Sequence, residues 1–363
     1  MATVLVTWEL GGGLGHLMRL KPVVRELVRR GHRVVAAVKD VVGARQVFDD
    51  PGVSVIPAPF ASVPAHKRVK VIRSFAHLLH NSGFGDMDTL AALLWGWKSL
   101  FELIRPDLLL CDHSPTALLA ARDISTKRIC IGTGFCCPPV EAPFRDLRPL
   151  LPKAGKQLER EEGQLLYTVN AALADVRLRR IEHLADLYRK ADATILTTFQ
   201  ELDHYPDRPE IRYWGTWSEG GGLAPDWPRG NGKRIFAYLK PFQGFPSLLN
   251  KLESTGCPTI VYAKGVSQEL QRRLTSPTIR FAPGQLDLAQ VGESCDLAIL
   301  NGGHGATASL LLSGKPILQI PHYLEQSMTA QAVERMHAGL GINSKNPKGI
   351  NQALDKLLAD ESY

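Results

Sequence analysis

A run of glycines set between two apolar strands constrains this chain more than any other feature. It reads Asn301-Gly302-Gly303-His304-Gly305-Ala306-Thr307, with strand patterns at 297–300 before it and 317–320 after it. A buried strand that ends in glycines and opens a helix is the connection expected of a parallel α/β sheet. The first backbone N–H groups of that helix have no intrahelical partner. The partial positive charge there makes the turn a seat for a phosphate. One strand later come Pro321 and the polar pair Glu325-Gln326, placed where a sugar joined to that phosphate could be read. The outline is that of a nucleotide-sugar donor site.

The same rhythm fills the rest of the chain. Residues 3–7, 32–38, 107–111 and 128–132 read as strands, with an amphipathic helix at 17–30 and a small-residue helix at 116–121. Residues 156–190 read as mostly helical. A stretch rich in glycine and proline at 216–232 interrupts the pattern, which restarts with strands at 234–239, 259–263, 278–281, 297–300 and 317–320. The 363 residues are about twice the usual length of one domain. The expected organisation is therefore α/β, with a Rossmann-like domain at 1–215, a linker at 216–232 and a second Rossmann-like domain at 233–363. Open sheets bind ligands at the carboxyl ends of their strands. Two such parallel sheets are expected to face each other across a cleft.

Charge and cysteines exclude several classes. The net charge of +7 is compatible with anionic ligands or an anionic membrane surface. No basic stripe interleaved with aromatics points to nucleic acid. The six cysteines form no C-x-x-C pair, so reduced thiols in a cytoplasmic protein are expected rather than a zinc site. No signal peptide is read at the start, and no apolar run reaches the roughly 18 residues of a membrane span. Peripheral contact with a membrane is left open.

The first loop, Gly11-Gly12-Gly13-Leu14-Gly15-His16, lets the backbone turn tightly beside a ligand. As a dinucleotide loop it is incomplete: Gly11 and Gly13 fit, but His16 stands where the third glycine belongs, and Asp40 is the sole candidate ribose acid. His16 lies at the loop-to-helix junction, and a histidine can accept a proton near neutral pH. It reads as a general base, with Gly13 and Gly15 beside it. Its orienting acceptor would be Asp112, at the end of the strand over 107–111. A helix cap is the structural alternative for Asp112, and His113 offers a neighbouring contact.

These motifs together resemble the glycosyltransferases of the GT-B fold, in particular the UDP-glycosyltransferase superfamily and its bacterial macrolide and lipid relatives. Gly15-His16 followed by Lys21-Pro22 is similar to that family's N-terminal histidine motif, with the proline displaced. The segment Cys295 to Ile342 resembles its donor signature almost end to end. The resemblance implies metal-independent, inverting transfer of a sugar, with no cofactor, from a nucleotide diphosphate (UDP favoured, dTDP open) to a hydroxyl of a small apolar or lipid-like acceptor. His16 and Asp112 would be catalytic. Backbone amides of Gly302, Gly303, Gly305 and Ala306, with the Thr307 hydroxyl, would meet the leaving diphosphate. Gln285 would approach the nucleobase, and Glu325 and Gln326 the sugar.

Two departures matter. Asn301 stands where the family usually carries a diphosphate-contacting histidine, which His304 would replace in part. The chain also ends soon after a helix at 350–358, where relatives continue, so it reads as shortened. The acceptor pocket is expected from 58–85, the helix at 90–103 and 134–152, with Phe84, Trp95, Trp97 and Phe135 as its aromatics. The competing functions are a non-catalytic nucleotide-sugar binder and a nucleotide-sugar epimerase of related architecture.

Overall fold

The computed structural model describes all residues except 150, 210, 218, 219 and 361. Residues 218 and 219 of the expected linker, and 150 of the expected acceptor segment, therefore lie outside the described residues. The chain divides into two compact units, one of Met1–Thr197 with Asp207–Trp217, the other of Thr198–Pro206 with Ser218–Tyr363.

The first unit contains strands β1 (Thr3–Trp8), β2 (Arg33–Val38), β3 (Val53–Pro57), β4 (Leu108–Asp112), β5 (Lys127–Gly132) and β6 (Ala193–Leu196). Its helices are α1 (Gly15–Arg29), α2 (Val41–Val47), α3 (Phe75–Leu79), α4 (Met87–Ile104), α5 (Pro115–Ala120), α6 (Gly155–Asp175) and α7 (Asp186–Arg189). The sheet is wholly parallel in the order β3-β2-β1-β4-β5-β6. Side chains alternate between its faces, as the pleat requires. Leu5, Val35, Leu109 and Cys111 enter one core with α4 and α6, while Val4, Val6, Val34 and Leu110 enter another beneath α1. Strands buried on both sides read as continuous apolar runs for this reason.

The second unit repeats the plan. Strands β7 (Ile235–Tyr238), β8 (Thr259–Tyr262), β9 (Ile279–Phe281), β10 (Leu297–Leu300), β11 (Ile317–Gln319) and β12 (Gly339–Gly341) alternate with α8 (Phe245–Thr255), α9 (Gln268–Leu274), α10 (Leu288–Ser294), α11 (His304–Leu312), α12 (Leu324–Arg335) and α13 (Pro347–Ala359). The parallel order β12-β11-β10-β7-β8-β9 is the same doubly wound arrangement.

Three strands have no counterpart in the sequence reading: β3, β6 and β12. All three are edge strands. An edge strand is short and only partly covered, so it lacks the buried apolar run that marks a central one. Residues 176–185 are also irregular where helix was expected. A further difference concerns Thr198–Pro206, which packs with the second unit. Leu202 joins the core under α10 and α11, and His204 Nε2 lies 3.2 Å from Thr329 Oγ1 on α12. Of the expected linker, Leu223 N donates to Gln285 O at 2.9 Å and Trp227 Nε1 to Ser294 Oγ at 3.2 Å. That part is built onto the second unit.

Candidate active site

In the first unit the loop after β1 and the end of β4 meet because β1 and β4 are neighbours, with Trp8 opposite Asp112. His16 opens α1 and places Nδ1 3.0 Å from Asp112 Oδ1. Arg19, one turn along the same helix, donates to both carboxylate oxygens at 3.2 and 3.1 Å. Asp112 is fully buried. Burial pushes its carboxyl up, but the charges of His16 and Arg19 outweigh it and hold the group below its ordinary value. An ionised carboxylate only accepts, so Nδ1 of His16 carries a proton, and in the neutral imidazole it is Nε2 that has the lone pair. Trp8 stacks on the imidazole at 5.1 Å.

Gly11 explains the first loop. Its φ is +81°, and a Cβ there would collide with His16 Nε2. Glycine is needed twice, for the left-handed backbone and for the space in front of that nitrogen. Lys39 Nζ pins the loop by donating to Gly11 O at 2.8 Å. Asp40, the candidate ribose acid, instead caps α2 by accepting from Gly43 N. Nor is Asp112 a cap for α5. That role falls to buried Glu9, whose carboxylate accepts from Thr116 N at 3.2 Å, Ala117 N at 2.7 Å and the Thr116 hydroxyl. Burial pushes the Glu9 carboxyl up to about 7 against these bonds. Neither Glu9 nor Arg19 was singled out in the sequence. Glu9 sits where β1 leaves the sheet, and its partner is 107 residues away.

Beside His16 the site is apolar. His113 stacks over it at 6.0 Å, with Phe75 and Phe135 around His113 at 6.4 and 6.1 Å. Of the expected acceptor aromatics, Phe135 is thus near the base. Trp97 and Phe84 are core residues, fully buried. Trp95 is exposed and lines a surface depression of about 460 Å³ with Lys98, Asp175 and Arg177, apart from His16. A D-x-D triplet, the pattern that could hold a metal, stands at Asp86-Met87-Asp88, but Asp86 caps α4 by accepting from Thr89 N.

In the second unit the glycine loop leaves β10 and opens α11 as expected. Gly303 is the N-cap, with no side-chain cap bond, and the first intrahelical bond is Thr307 N to Gly303 O at 3.0 Å. The N–H groups of His304, Gly305 and Ala306 precede it, outside the helical ladder. A Cβ at Gly303 or Gly305 would meet nothing within 4 Å, so the backbone faces open space. Gly302 differs: its φ is +81°, and a Cβ would come 2.7 Å from Gln326 O.

The side chains around this loop are arranged otherwise than the sequence implied. His304 is buried, and its Nε2 pairs with Thr198 Oγ1 at 2.8 Å. Thr307 is buried and accepts from Gln319 Nε2 at 3.0 Å. Gln326 is buried too, and its Oε1 accepts from His322 N at 2.9 Å. Gln285 is exposed and Glu325 half-buried. Asn301 holds three strand ends together. Its Oδ1 accepts from Lys240 N at 2.5 Å, which fixes the amide orientation. Its Nδ2 then lies 2.9 Å from Ile320 O and 2.8 Å from His322 Nε2. An amide nitrogen only donates, so His322 Nε2 accepts and Nδ1 bears the proton. Partial burial and the nearby Lys240 charge lower the pKa of His322, which favours the neutral form.

The arrangement of each unit is that of the GT-B glycosyltransferases, and the chain has the GT-B fold. A glycosyltransferase of kitacinnamycin superposes with a TM-score of 0.72 at 19% identity, covering 99% of this chain and 92% of the other. The calicheamicin glycosyltransferase CalG4 gives 0.70 at 17%, covering 99% and 91%. The spinosyn rhamnosyltransferase SpnG, complexed with thymidine diphosphate, gives 0.67 at 16%, covering 100% and 93%. In sequence the chain resembles the UDP-glycosyltransferase superfamily. It is 26% identical over 106 residues to the uncharacterized UDP-glucosyltransferase YdhE of Bacillus subtilis, and 31% over 67 to a sterol 3-beta-glucosyltransferase of Vanderwaltozyma polyspora. These matches cover 29% and 18% of this chain and span 27% and 6% of those relatives' own lengths. No family model matches the chain. Among the described residues no helix is long and apolar enough to cross a membrane.

Proposed function

We propose that the protein is an inverting glycosyltransferase that moves a sugar from a nucleotide diphosphate to a hydroxyl of a small apolar or lipid-like acceptor. The observation that carries this reading is the His16–Asp112 pair, with Nε2 facing the space left by Gly11. His16 Nε2 takes the acceptor's hydroxyl proton. Asp112 holds the tautomer and stabilises the imidazolium as it forms. The acceptor oxygen bonds to the anomeric carbon from one face, the bond from that carbon to the phosphate oxygen breaks on the other, and the diphosphate leaves with the electron pair. Configuration inverts.

Charge growing on the diphosphate is met by the N–H groups of His304, Gly305 and Ala306 at the α11 N-terminus. His322, held by Asn301, adds its Nδ1–H and stands in for the histidine absent at 301. Glu325 contacts sugar hydroxyls, Gln326 offers its remaining amide nitrogen, and Gln285 approaches the base. This scheme calls on no metal. The aromatic surroundings of His113 suit an apolar acceptor. Neighbours of the same fold were complexed with thymidine diphosphate and with spinosyn aglycone, which supports a nucleotide-diphosphate donor such as a dTDP-sugar and a small-molecule acceptor, while a UDP-sugar is supported by the name of the sequence relative YdhE. In this reading the domain division 1–215, 216–232 and 233–363, with Thr198–Pro206 packed onto the second unit, separates acceptor and donor functions.

A thermal-shift screen of UDP and dTDP tests the donor, since a ligand that binds only the folded state raises Tm. Donor hydrolysis and transfer are then compared with His16→Ala, which should lower turnover sharply and leave nucleotide affinity nearly intact. A protein that binds a nucleotide sugar but neither hydrolyses nor transfers it would be the non-catalytic binder instead.

A further inference from the structure

His113 is the least explained group in the first unit. It follows β4 directly, with φ +47°, a left-handed conformation that a non-glycine residue adopts at a cost. It is 7% exposed, and its Nε2 is buried without a hydrogen-bond partner. An orphaned ring nitrogen in a strained position calls for a ligand.

Beside it are two further donors. One ring nitrogen of His16, one of His113 and the Cys136 sulfur lie within 4.8 Å of one another, all buried. We propose that these three side chains form a binding site for a zinc-class divalent cation, and that its occupation blocks the base.

The donor set decides the metal. Two imidazoles and a thiolate suit Zn²⁺ or Co²⁺ and exclude Mg²⁺ and Ca²⁺, which take oxygen ligands. With Zn–N near 2.0–2.1 Å and Zn–S near 2.3 Å, tetrahedral donors stand about 3.4–3.6 Å apart. Starting from donors no more than 4.8 Å apart, the cluster needs a contraction of at most about 1.4 Å to reach that spacing. His16 Nδ1 is committed to Asp112, which leaves Nε2 to ligate. A carboxylate on the far nitrogen of a ligating histidine is the usual support for such a site. Thr133 Oγ1 lies 3.7 Å from Cys136 Sγ and would donate to the thiolate. On binding, the thiol proton leaves to solvent, a metal–sulfur bond forms, and the fourth position stays open to water.

The lone pair that would hold the metal is the one that takes the acceptor proton. Metal occupation and base catalysis therefore exclude each other, a consequence that rests on the proposed function, whereas the binding itself does not.

The test uses the full-length, reduced protein, treated with a chelator and titrated with Co²⁺. The expected result is one bound ion with a thiolate-to-cobalt charge-transfer band and the intense visible bands of four-coordinate cobalt, both bleached by Zn²⁺. Cys136→Ser should abolish the charge-transfer band. His113→Ala should weaken binding by more than the roughly 10–100-fold that losing an outer-shell partner costs. Circular dichroism and Tm of both variants establish that they fold. Absence of the charge-transfer band in the parent, or its persistence in Cys136→Ser, overturns the site. Zn²⁺ should also abolish transfer, reversibly by chelator, without changing nucleotide affinity. Cobalt binding with undiminished turnover would overturn the block, and would count against His16 as base rather than against the metal site.

Discussion

Replacing Asp112 by asparagine isolates the charge of the carboxylate from its shape. The carboxylate is fully buried, 3.0 Å from His16 Nδ1 and within hydrogen-bond reach of Arg19 through both oxygens. With charge centres about 4 Å apart and an effective dielectric constant near 20, a full imidazolium is stabilised by about 4 kcal/mol. If about half of that charge has developed in the transition state, the loss is about 2 kcal/mol, or about 30-fold in rate, with about 1,000-fold as the limit for complete proton transfer. The introduced amide can still accept from Nδ1 through its oxygen, but its nitrogen would then oppose the Arg19 guanidinium. Asp112→Asn should therefore lower kcat by about 30- to 1,000-fold. Calorimetric affinity for the nucleotide diphosphate should stay close to the parent. Combined with His16→Ala it should cost nothing further, because Asp112 acts through His16. A kcat within about threefold of the parent would refute the dyad. So would a donor affinity that fell in step with kcat.

Gly11→Ala should cost up to about 100-fold in turnover by displacing the imidazole, with donor affinity retained. Unchanged turnover would mean that Nε2 does not act in that space. Asn301→Ala and His322→Ala should each weaken nucleotide diphosphate binding, and a double-mutant cycle should give a coupling of at least about 0.5 kcal/mol. Strictly additive losses would show that Asn301 does not work through His322. Glu9 provides a pH signature, with a folded pKa of about 7 against an ordinary 4.5. Between those values the folded state holds a proton that the unfolded chain has lost, so stability falls as pH rises through that window. At about 1.4 kcal/mol per pH unit, the fall totals about 3 kcal/mol. Glu9→Gln should flatten this part of the Tm–pH profile, and an unchanged slope would dismiss the assignment.

The central strands were legible because burial on both faces writes itself as unbroken Val, Ile and Leu. β1, β4, β10 and β11 were found within a residue or so of their observed ends. The glycine loops were legible because only glycine serves a backbone that must turn left-handed with no room for a Cβ, as at Gly11 and Gly302. The edge strands were not, and neither were the partners of polar side chains. His304, Thr307 and Gln326 carry the right residue types for a donor site, yet the fold binds each to a neighbour in its own unit. Arg19 and His322 gave no signal, since a lone arginine on a helix and a histidine after a proline are ordinary features.

The sequence by itself determined the doubly wound sheets, the glycine turn at the carboxyl edge of each sheet, and the pairing of His16 with Asp112. These follow from local rules: periodicity, backbone freedom, and strand ends that share one edge. Only the tertiary structure decided which way each polar group turns. It made Asn301 a clamp on His322, Glu9 the cap of α5, and His113 an imidazole with its Nε2 unpartnered beside Cys136. Hydrogen-bond satisfaction is settled among groups tens of residues apart, so no window of sequence contains it.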